Sequence, residues 1–176
     1  MVDAIVCAYR GFMASLTITE KIIASHAAEG SARAGQIVTV TPDVLMLNDV
    51  SGPMTFAEFV AMGATAPAAP DRMVLVADHF APARDIDSAR AIGTLRGFPR
   101  THHIGHFHEP GRGGIEHSLL DELGLVRHGS IVFGADSHTC TAGAFNALGI
   151  GYGSTDLAAA LTAGVARPNA RDLDSI

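Results

Sequence analysis

Residues 73–79 read Met-Val-Leu-Val-Ala-Asp-His, and residues 130–138 read Ser-Ile-Val-Phe-Gly-Ala-Asp-Ser-His. Each stretch begins with a short, continuously apolar run, which is typical of a strand buried on both faces of a parallel sheet. Each run ends in an aspartate that is closely followed by a histidine. Since ligands of parallel sheets bind at the carboxyl ends of the strands, function is expected at these two acid–imidazole pairs.

Helix and strand patterns alternate on both sides of these runs. Five helices are expected, at residues 17–30, 53–61, 87–95, 116–122 and 155–163. The first opens with Thr17 and Glu20, which have the spacing of a capping box. Further strands are expected at 36–41 and at 104–108. This alternation predicts an α/β fold, with a mostly parallel sheet and helices on its faces.

The composition is that of one folded domain. The chain has 176 residues, of which 48% are hydrophobic and 17% charged, and this excludes a disordered or polyelectrolyte protein. A net charge of -6 and a single lysine argue against a nucleic-acid partner. The sequence has no signal-peptide pattern and no apolar run near the roughly 20 residues of a membrane span. We therefore expect no membrane partner and a cytoplasmic protein.

Cysteines are few and histidines many. The chain has two cysteines, Cys7 and Cys140. Two cysteines are too few for a disulfide framework, and these two do not have the Cys-x-x-Cys spacing of a zinc or redox site. Most of the nine histidines lie between His79 and His138. Because imidazole exchanges protons near neutral pH, this concentration indicates chemistry.

The two acid–imidazole pairs are Asp78-His79 and Asp136-Ser137-His138. A carboxylate can orient or charge an imidazole, so each pair suits general acid–base work or metal ligation. The alternative is an aspartate that caps the next helix beside a histidine that merely packs. Two pairs at equivalent strand ends favour the functional interpretation.

Two further motifs leave alternatives open. The glycine turn Gly111-Arg-Gly-Gly-Ile-Glu-His117 lets backbone N–H groups approach a carboxylate or phosphate, and equally fits a flexible loop with a solvated Arg112. His106-Phe-His108 has the His-x-His spacing of metal hydrolases, since alternate residues of a strand share a face. A histidine-rich surface strand has the same pattern.

Five motifs occur in the order seen in the aconitase family, which this chain resembles. They are Leu16–Ile23, Ala77–Phe80, Gly111–His117, Gly134–Cys140 and Gly153–Leu157. The likeness is strongest to the large-subunit branch of the isopropylmalate dehydratases, and homoaconitase and dimethylmalate dehydratase large subunits are similar too. It implies an incomplete, amino-terminal α/β/α domain of the aconitase type at residues 13–164. Residues 1–12 are then an extra leader and residues 165–176 a divergent tail.

The resemblance implies a hydro-lyase, which dehydrates and rehydrates a hydroxy di- or tricarboxylic acid. In the isopropylmalate branch this interconverts 2-isopropylmalate and 3-isopropylmalate in leucine biosynthesis. A [4Fe-4S] cluster is implied as the Lewis acid. The implied catalytic residues are Asp78, His79, His117, Asp136 and His138, and the expected substrate-binding residues are Ser137 and Arg112. His79 is the implied proton donor to the departing hydroxyl.

Family members hold their cluster with three cysteines that lie beyond the region matched here, and neither Cys7 nor Cys140 corresponds to them. The family also takes substrate arginines and a serine base from later segments and from a separate small subunit. We therefore expect a portion of a large subunit that is inactive alone and has no metal ligand of its own. A mononuclear metal hydrolase and a non-catalytic remnant are the alternatives from other classes.

Overall fold

The computed structural model of the protein describes residues 16–168. The described residues divide into two compact units, one made of residues 16–41 with 167–168 and the other of residues 42–166. The expected leader lies outside the described residues, and so does most of the expected tail. The second unit contains the sheet and every residue of the candidate site.

Helix α1 (Ile18–His26) of the first unit begins with the expected capping box. The Glu20 backbone N–H donates to the Thr17 hydroxyl at 3.2 Å, and the Thr17 N–H donates to the Glu20 carboxylate at 2.8 Å. The bond from the Thr17 backbone is the main reason that the pKa of Glu20 lies below its ordinary value. The predicted helix is confirmed, although it ends before Gly30.

The prediction of a strand at residues 36–41 is wrong. These residues form an isolated antiparallel bridge between Val40 and Ala27, and Ile37 is 73% exposed. The β-branched residues of this stretch favour extended backbone, but a strand also needs a partner along its length. Here the pairing between Val40 and Ala27 is an isolated bridge, and no ladder of paired residues extends from it.

The second unit is built on a sheet of five parallel strands. They are β1 (Val44–Asn48), β2 (Met73–Val76), β3 (His106–His108), β4 (Ile131–Gly134) and β5 (Leu148–Gly151). Their order across the sheet is β3-β2-β1-β4-β5. All residues of β1, β2 and β4 are buried, as expected where helices cover both faces of a parallel sheet. The predicted α/β class is confirmed.

Within residues 42–166, four helices and two short 3-10 helices accompany the sheet. They are α2 (Ser51–Ala61), α3 (Ile86–His102), α4 (Glu116–Glu122) and α5 (Ser154–Ala163), with 3-10 turns at Pro70–Arg72 and Thr139–Phe145. The helices predicted near 53–61, 116–122 and 155–163 are confirmed. Within residues 16–168, no helix is long and apolar enough to cross a membrane.

Helix α3 continues well past residue 95, where its end was predicted. It begins with Asp85, whose carboxylate accepts the Ser88 N–H at 2.8 Å, and it runs through Pro99 in its final turns. Phe98 in this extension stacks on Phe56 of α2 with ring centroids 3.7 Å apart. The helix was expected to end at Gly97. The packing of Phe98 on Phe56 stabilises the helical turns that continue beyond it.

Two strands, β1 and β5, were not expected from the sequence. β1 is central to the site because it pairs with β2 on one side and with β4 on the other, placing Leu47 opposite Leu75 and Leu45 opposite Phe133. It therefore lies between the two strands that carry the acid–imidazole pairs. Since all three strands are parallel, their carboxyl ends share one edge, and the polar residues that follow them converge there.

Candidate active site

The two acid–imidazole pairs lie together at the carboxyl edge of the sheet. Asp78 and His79 follow β2, while Asp136 and His138 follow β4. The Nε2 atom of His79 is 3.7 Å from Oδ2 of Asp136. His117, in the first turn of α4, reaches the same place, with its Nε2 3.1 Å from Asp136 Oδ1. The structure thus brings together all five predicted catalytic residues, whose roles stay predictions.

His79 is held in one orientation by carboxylates on two strand ends. Its Nδ1 donates to Asp78 Oδ1 at 2.7 Å, and its backbone N–H donates to Asp49 Oδ1 at 3.1 Å. Burial alone lowers the pKa of His79, but the hydrogen bond and charge of Asp78, together with the charges of Glu116 and Asp49, raise it above the ordinary value. These partners therefore stabilise the protonated imidazole, the form that donates a proton, relative to a free histidine side chain.

The carboxylate of Asp136 lies next to three histidines, His79, His117 and His138. Its Oδ1 accepts the His138 backbone N–H at 2.7 Å and the His117 Nε2–H at 3.1 Å, and it lies 3.3 Å from His138 Nδ1. Burial raises the pKa of Asp136, but these hydrogen bonds and the imidazole charges outweigh it and lower the pKa. A carboxylate whose pKa is lowered, next to an imidazole such as His79 whose pKa is raised, is typical of acid–base sites.

Glu116 is a buried member of the site that the sequence did not single out. Its side chain is fully buried, its Oε1 accepts from Asn48 Nδ2 at 3.0 Å, and its backbone N–H donates to Asp78 Oδ2 at 2.7 Å. Burial is the main reason that its pKa rises to about 7, and the charges of Asp78 and Asp136 add to this. Glu116 therefore sits close to half ionised near neutral pH.

Asn48 and Asp49 were also missed, because they follow the strand that was missed. Asp49 is fully buried and accepts the backbone N–H groups of His79 and Phe80, the latter at 2.8 Å. Asn48 caps the loop that follows, since its Oδ1 accepts the Ser51 N–H at 2.9 Å. The apolar run 44–47, followed by two polar residues, was the signal that could have found them.

The two expected substrate-binding residues do not join the cluster. Ser137 is exposed in the loop between Asp136 and His138, and Arg112 is exposed in the glycine turn, near Glu109. That turn lines a pocket of about 340 Å³ whose wall also includes Asp78. Gly111 and Gly114 adopt positive φ angles of 77° and 128°, which side chains disfavour. The glycines are thus needed to shape the wall beside the site.

Ligand-type atoms from three overlapping groups lie close enough to share an ion. The groups are His117, Asp136 and His138; Asp49, Asp78 and His79; and His79, Glu116 and Asp136. None of the groups found in residues 16–168 includes His106 or His108. These two histidines lie on the edge strand β3, so the geometry gives no support to a hydrolase centre built on them.

The [4Fe-4S] cluster implied by the resemblance does not fit the residues of this chain alone. Such clusters are bound by thiolates at several fixed positions. The chain has two cysteines, and Cys140 is exposed, with its Sγ 4.0 Å from the Ser137 carbonyl oxygen. Cys7 lies outside the described residues. The thiolate ligands of a cluster are therefore not supplied by this chain.

Comparison with known proteins agrees with this geometry. Residues 20–170 match the model of the aconitase family (aconitate hydratase). The 3-isopropylmalate dehydratase large subunit of Moorella thermoacetica is 49% identical over 149 residues, which cover 85% of this chain and 35% of that protein. The same subunit from Heliobacterium modesticaldum is 47% identical over 151 residues, covering 86% of this chain and 36% of that protein.

The chain thus spans about a third of the length of these curated relatives. The matched residues include the strands, the glycine turn and both acid–imidazole pairs. A family model that covers most of the chain, together with the site built from its motifs, leads to one conclusion: this chain belongs to the aconitase family.

Proposed function

We propose that this chain carries proton-transfer groups of a hydro-lyase that interconverts 2-isopropylmalate and 3-isopropylmalate by dehydration and rehydration. The observation that supports this most is the placement of His79, whose Nδ1 is held by Asp78 while its Nε2 faces the open edge beside Asp136. The names of the relatives support the substrate class. This reaction belongs to leucine biosynthesis, and we place the protein in the cytoplasm.

In the proposed dehydration, the C–O bond of the hydroxy dicarboxylate breaks and the hydroxyl departs with the bonding electron pair. His79 gives its Nε2 proton to that hydroxyl, so that water leaves. The hydrogen on the neighbouring carbon leaves as a proton to a base that this chain does not provide, and an alkene results. Rehydration at the other carbon reverses these steps.

The remaining residues position the oxygen. Asp136 holds His117 through its Oδ1 and stays ionised, so it can accept a hydrogen bond from the substrate hydroxyl. His138, in the loop after β4, lies beside Asp136. We call His79, His117, Asp136 and His138 together the acid–base wall. We assign Ser137 to a hydrogen bond with substrate and Arg112, beside the glycine pocket, to a substrate carboxylate.

The complete enzyme needs parts outside this chain. A [4Fe-4S] cluster, bound by cysteines of the remainder of a large subunit, would provide Lewis-acid chemistry. A separate small subunit would contribute further substrate contacts. The acid–base residues of the present chain are one wall of that larger site.

A chimera tests the proposal. In the Moorella thermoacetica large subunit, the 149 matching residues are replaced by those of this chain, and the protein is assayed with its small subunit for isopropylmalate conversion. We expect conversion by the chimera and a loss of kcat of about 10²- to 10⁴-fold in its His79→Gln variant, the usual contribution of general acid–base catalysis.

The control is Glu109→Gln in the same chimera, since Glu109 pairs with Arg96 and belongs to none of the groups of ligand-type side chains at the site. This variant should keep the kcat of the chimera. An inactive chimera beside an active parent, or a His79→Gln variant with full kcat, contradicts the proposal.

A further inference from the structure

The side chains of His79, Glu116 and Asp136 face one another at the carboxyl edge of the sheet. One buried oxygen of Glu116 has no hydrogen-bond donor among the described residues. One ligand atom each from His79, Glu116 and Asp136 lies within 4.8 Å of the other two. We infer that these three side chains directly bind a single divalent transition-metal ion. The site needs no cysteine. Nε2 of His79 cannot hold a proton and a metal ion at once, so the ion-bound chain is a different form from the proton-donating form of the proposed dehydratase. Ion binding is measured without turnover, so its test is separate from the test of that function.

The orientation of His79 is that of a metal-binding histidine. Its Nδ1–H donates to Asp78 at 2.7 Å, which directs the Nε2 lone pair of the deprotonated ring to the opposite side. A carboxylate behind the distal nitrogen is the usual outer partner of such histidines. Nε2 lies 3.7 Å from Asp136 Oδ2. That distance is too long for a hydrogen bond but suits two ligands of one ion, whose bonds are each about 2.0–2.2 Å.

Glu116 gives an independent reason to place a ligand here. Its side chain is fully buried, yet its Oε2 has no hydrogen-bond partner among the described residues, while Oε1 is satisfied by Asn48. Buried carboxylate oxygens without partners are rare in folded proteins because their desolvation is not compensated. An ion bound between Glu116, His79 and Asp136 would give this carboxylate the partner that the described residues do not supply.

In the other two groups of ligand-type atoms, carboxylate oxygens already accept hydrogen bonds. In the group of His117, Asp136 and His138, Asp136 Oδ1 accepts from His117 Nε2 and from the backbone N–H of His138, and the His138 side chain is 77% exposed. In the group with Asp49, both carboxylate oxygens accept backbone N–H groups, and Nδ1 of His79 is committed to Asp78. Of the groups found in residues 16–168, only the one with Glu116 combines facing ligand atoms with an unsatisfied oxygen.

Charge and ligand type define the kind of ion. Four carboxylates, from Asp49, Asp78, Glu116 and Asp136, stand against three imidazoles, so the site has an excess of negative charge when the histidines are neutral. One imidazole nitrogen with two carboxylate oxygens suits Zn²⁺, Mn²⁺ or Fe²⁺ rather than the soft ions that prefer thiolates.

The test is titration of the tag-free chain with Zn²⁺ by calorimetry at pH 8, above the Glu116 pKa of about 7. We expect one ion per chain. Glu116→Gln and His79→Gln should each weaken binding by at least tenfold, because loss of even an outer partner typically costs about 10- to 100-fold. Thermal unfolding of each variant, recorded with and without Zn²⁺, checks that it folds and reports binding a second time through the rise in Tm.

Two control variants remove comparable groups outside the assigned set. Glu109→Gln removes a carboxylate that pairs with Arg96, and His138→Gln removes an exposed imidazole of the competing group. Both should bind Zn²⁺ as the parent does. The assignment is overturned if the parent chain binds no ion, if Glu116→Gln binds as tightly as the parent, or if His138→Gln loses as much affinity as Glu116→Gln. Should Glu116→Gln fail to fold, His79→Gln decides by the same criteria.

Discussion

At the scale of single residues, Glu116 is where burial and charge conflict most directly. Its pKa of about 7 in the folded chain compares with an ordinary value of 4.5. Below pH 4.5 both states are protonated, and between pH 4.5 and 7 only the unfolded state is ionised. The contribution of Glu116 to the free energy of unfolding is therefore fully present below pH 4.5. It falls as the pH rises to about 7, and the total loss is on the order of 3 kcal/mol.

Glu116→Gln removes this ionisation while keeping the shape of the side chain. We expect the free energy of unfolding of the variant, relative to the parent, to rise between pH 5 and 8, as measured by urea denaturation at each pH. Glu109→Gln serves as control, because the hydrogen bond from Arg96 lowers the pKa of Glu109 and both states are ionised in this range. Parallel stability curves for Glu116→Gln and the parent contradict the assignment.

Asp78 controls the proton on His79. Burial lowers the pKa of His79, and the hydrogen bond and charge of Asp78 are the largest effects that raise it. We expect Asp78→Asn to lower the pKa of His79, measured from the pH dependence of the His79 Cε1 proton by NMR. Asp71→Asn, which removes an exposed charge on the 3-10 turn before β2, should leave it unchanged. An unaltered His79 pKa in Asp78→Asn would show that the pair does not act as described.

The sequence could predict the charged pairs of the site but not its buried members. Asp78-His79 and Asp136-Ser137-His138 are visible because each follows an apolar run, and parallel strands must bring such ends to one edge. Glu116 lies within a motif that was recognised, yet nothing local indicates that it is buried. Its burial comes from the packing of α4 beside the sheet and from Asn48, 68 residues earlier in the chain.

At the scale of elements, β1 and β5 show why two strands escaped prediction. β1 reads Val-Leu-Met-Leu-Asn, which contains good helix formers, whereas the segment at 36–41 has more β-branched residues and forms no strand. Pairing on both sides, with β2 and β4, decides the structure of β1 instead of propensity. β5 reads Leu-Gly-Ile-Gly, whose glycines weaken the strand signal.

Those glycines have a packing role that can be tested. A Cβ on Gly149 would clash with the backbone carbonyl of Thr139, in the 3-10 turn that follows His138. Since backbone cannot rotate away, we expect Gly149→Ala to lower the free energy of unfolding by about 1–3 kcal/mol, the usual cost of overpacking. It should also broaden or shift the His138 NMR signals, because the turn must move.

Gly143→Ala is the matched control for this element. Gly143 lies in the same 3-10 turn and does not adopt a positive φ, and a Cβ added to it would meet no other atom within 4 Å. Its stability by urea denaturation should stay within about 0.5 kcal/mol of the parent. Equal destabilisation by the two substitutions would show that β5 and the turn are not in close contact.

At the scale of the whole molecule, the acid–base wall and the cluster chemistry of the family are separable. Every side chain of the wall comes from residues 42–166, which form one compact unit with its own sheet. The relatives are about three times as long as the matched segment. The side chains proposed for proton transfer are therefore positioned by this unit, whereas the thiolate ligands of a cluster must come from elsewhere.

This separation predicts the outcome of anaerobic reconstitution with iron and sulfide. Two cysteines cannot provide the several thiolates that a [4Fe-4S] cluster requires, so the purified chain should show no stable cluster absorbance and no conversion of isopropylmalate. The Moorella thermoacetica large subunit, treated in the same way with its small subunit, is the positive control. Cluster absorbance with turnover by this chain alone would mean that ligands other than cysteine hold the iron. In that case His79, Glu116 and Asp136, whose ligand-type atoms lie within 4.8 Å of one another, would be the first residues to replace.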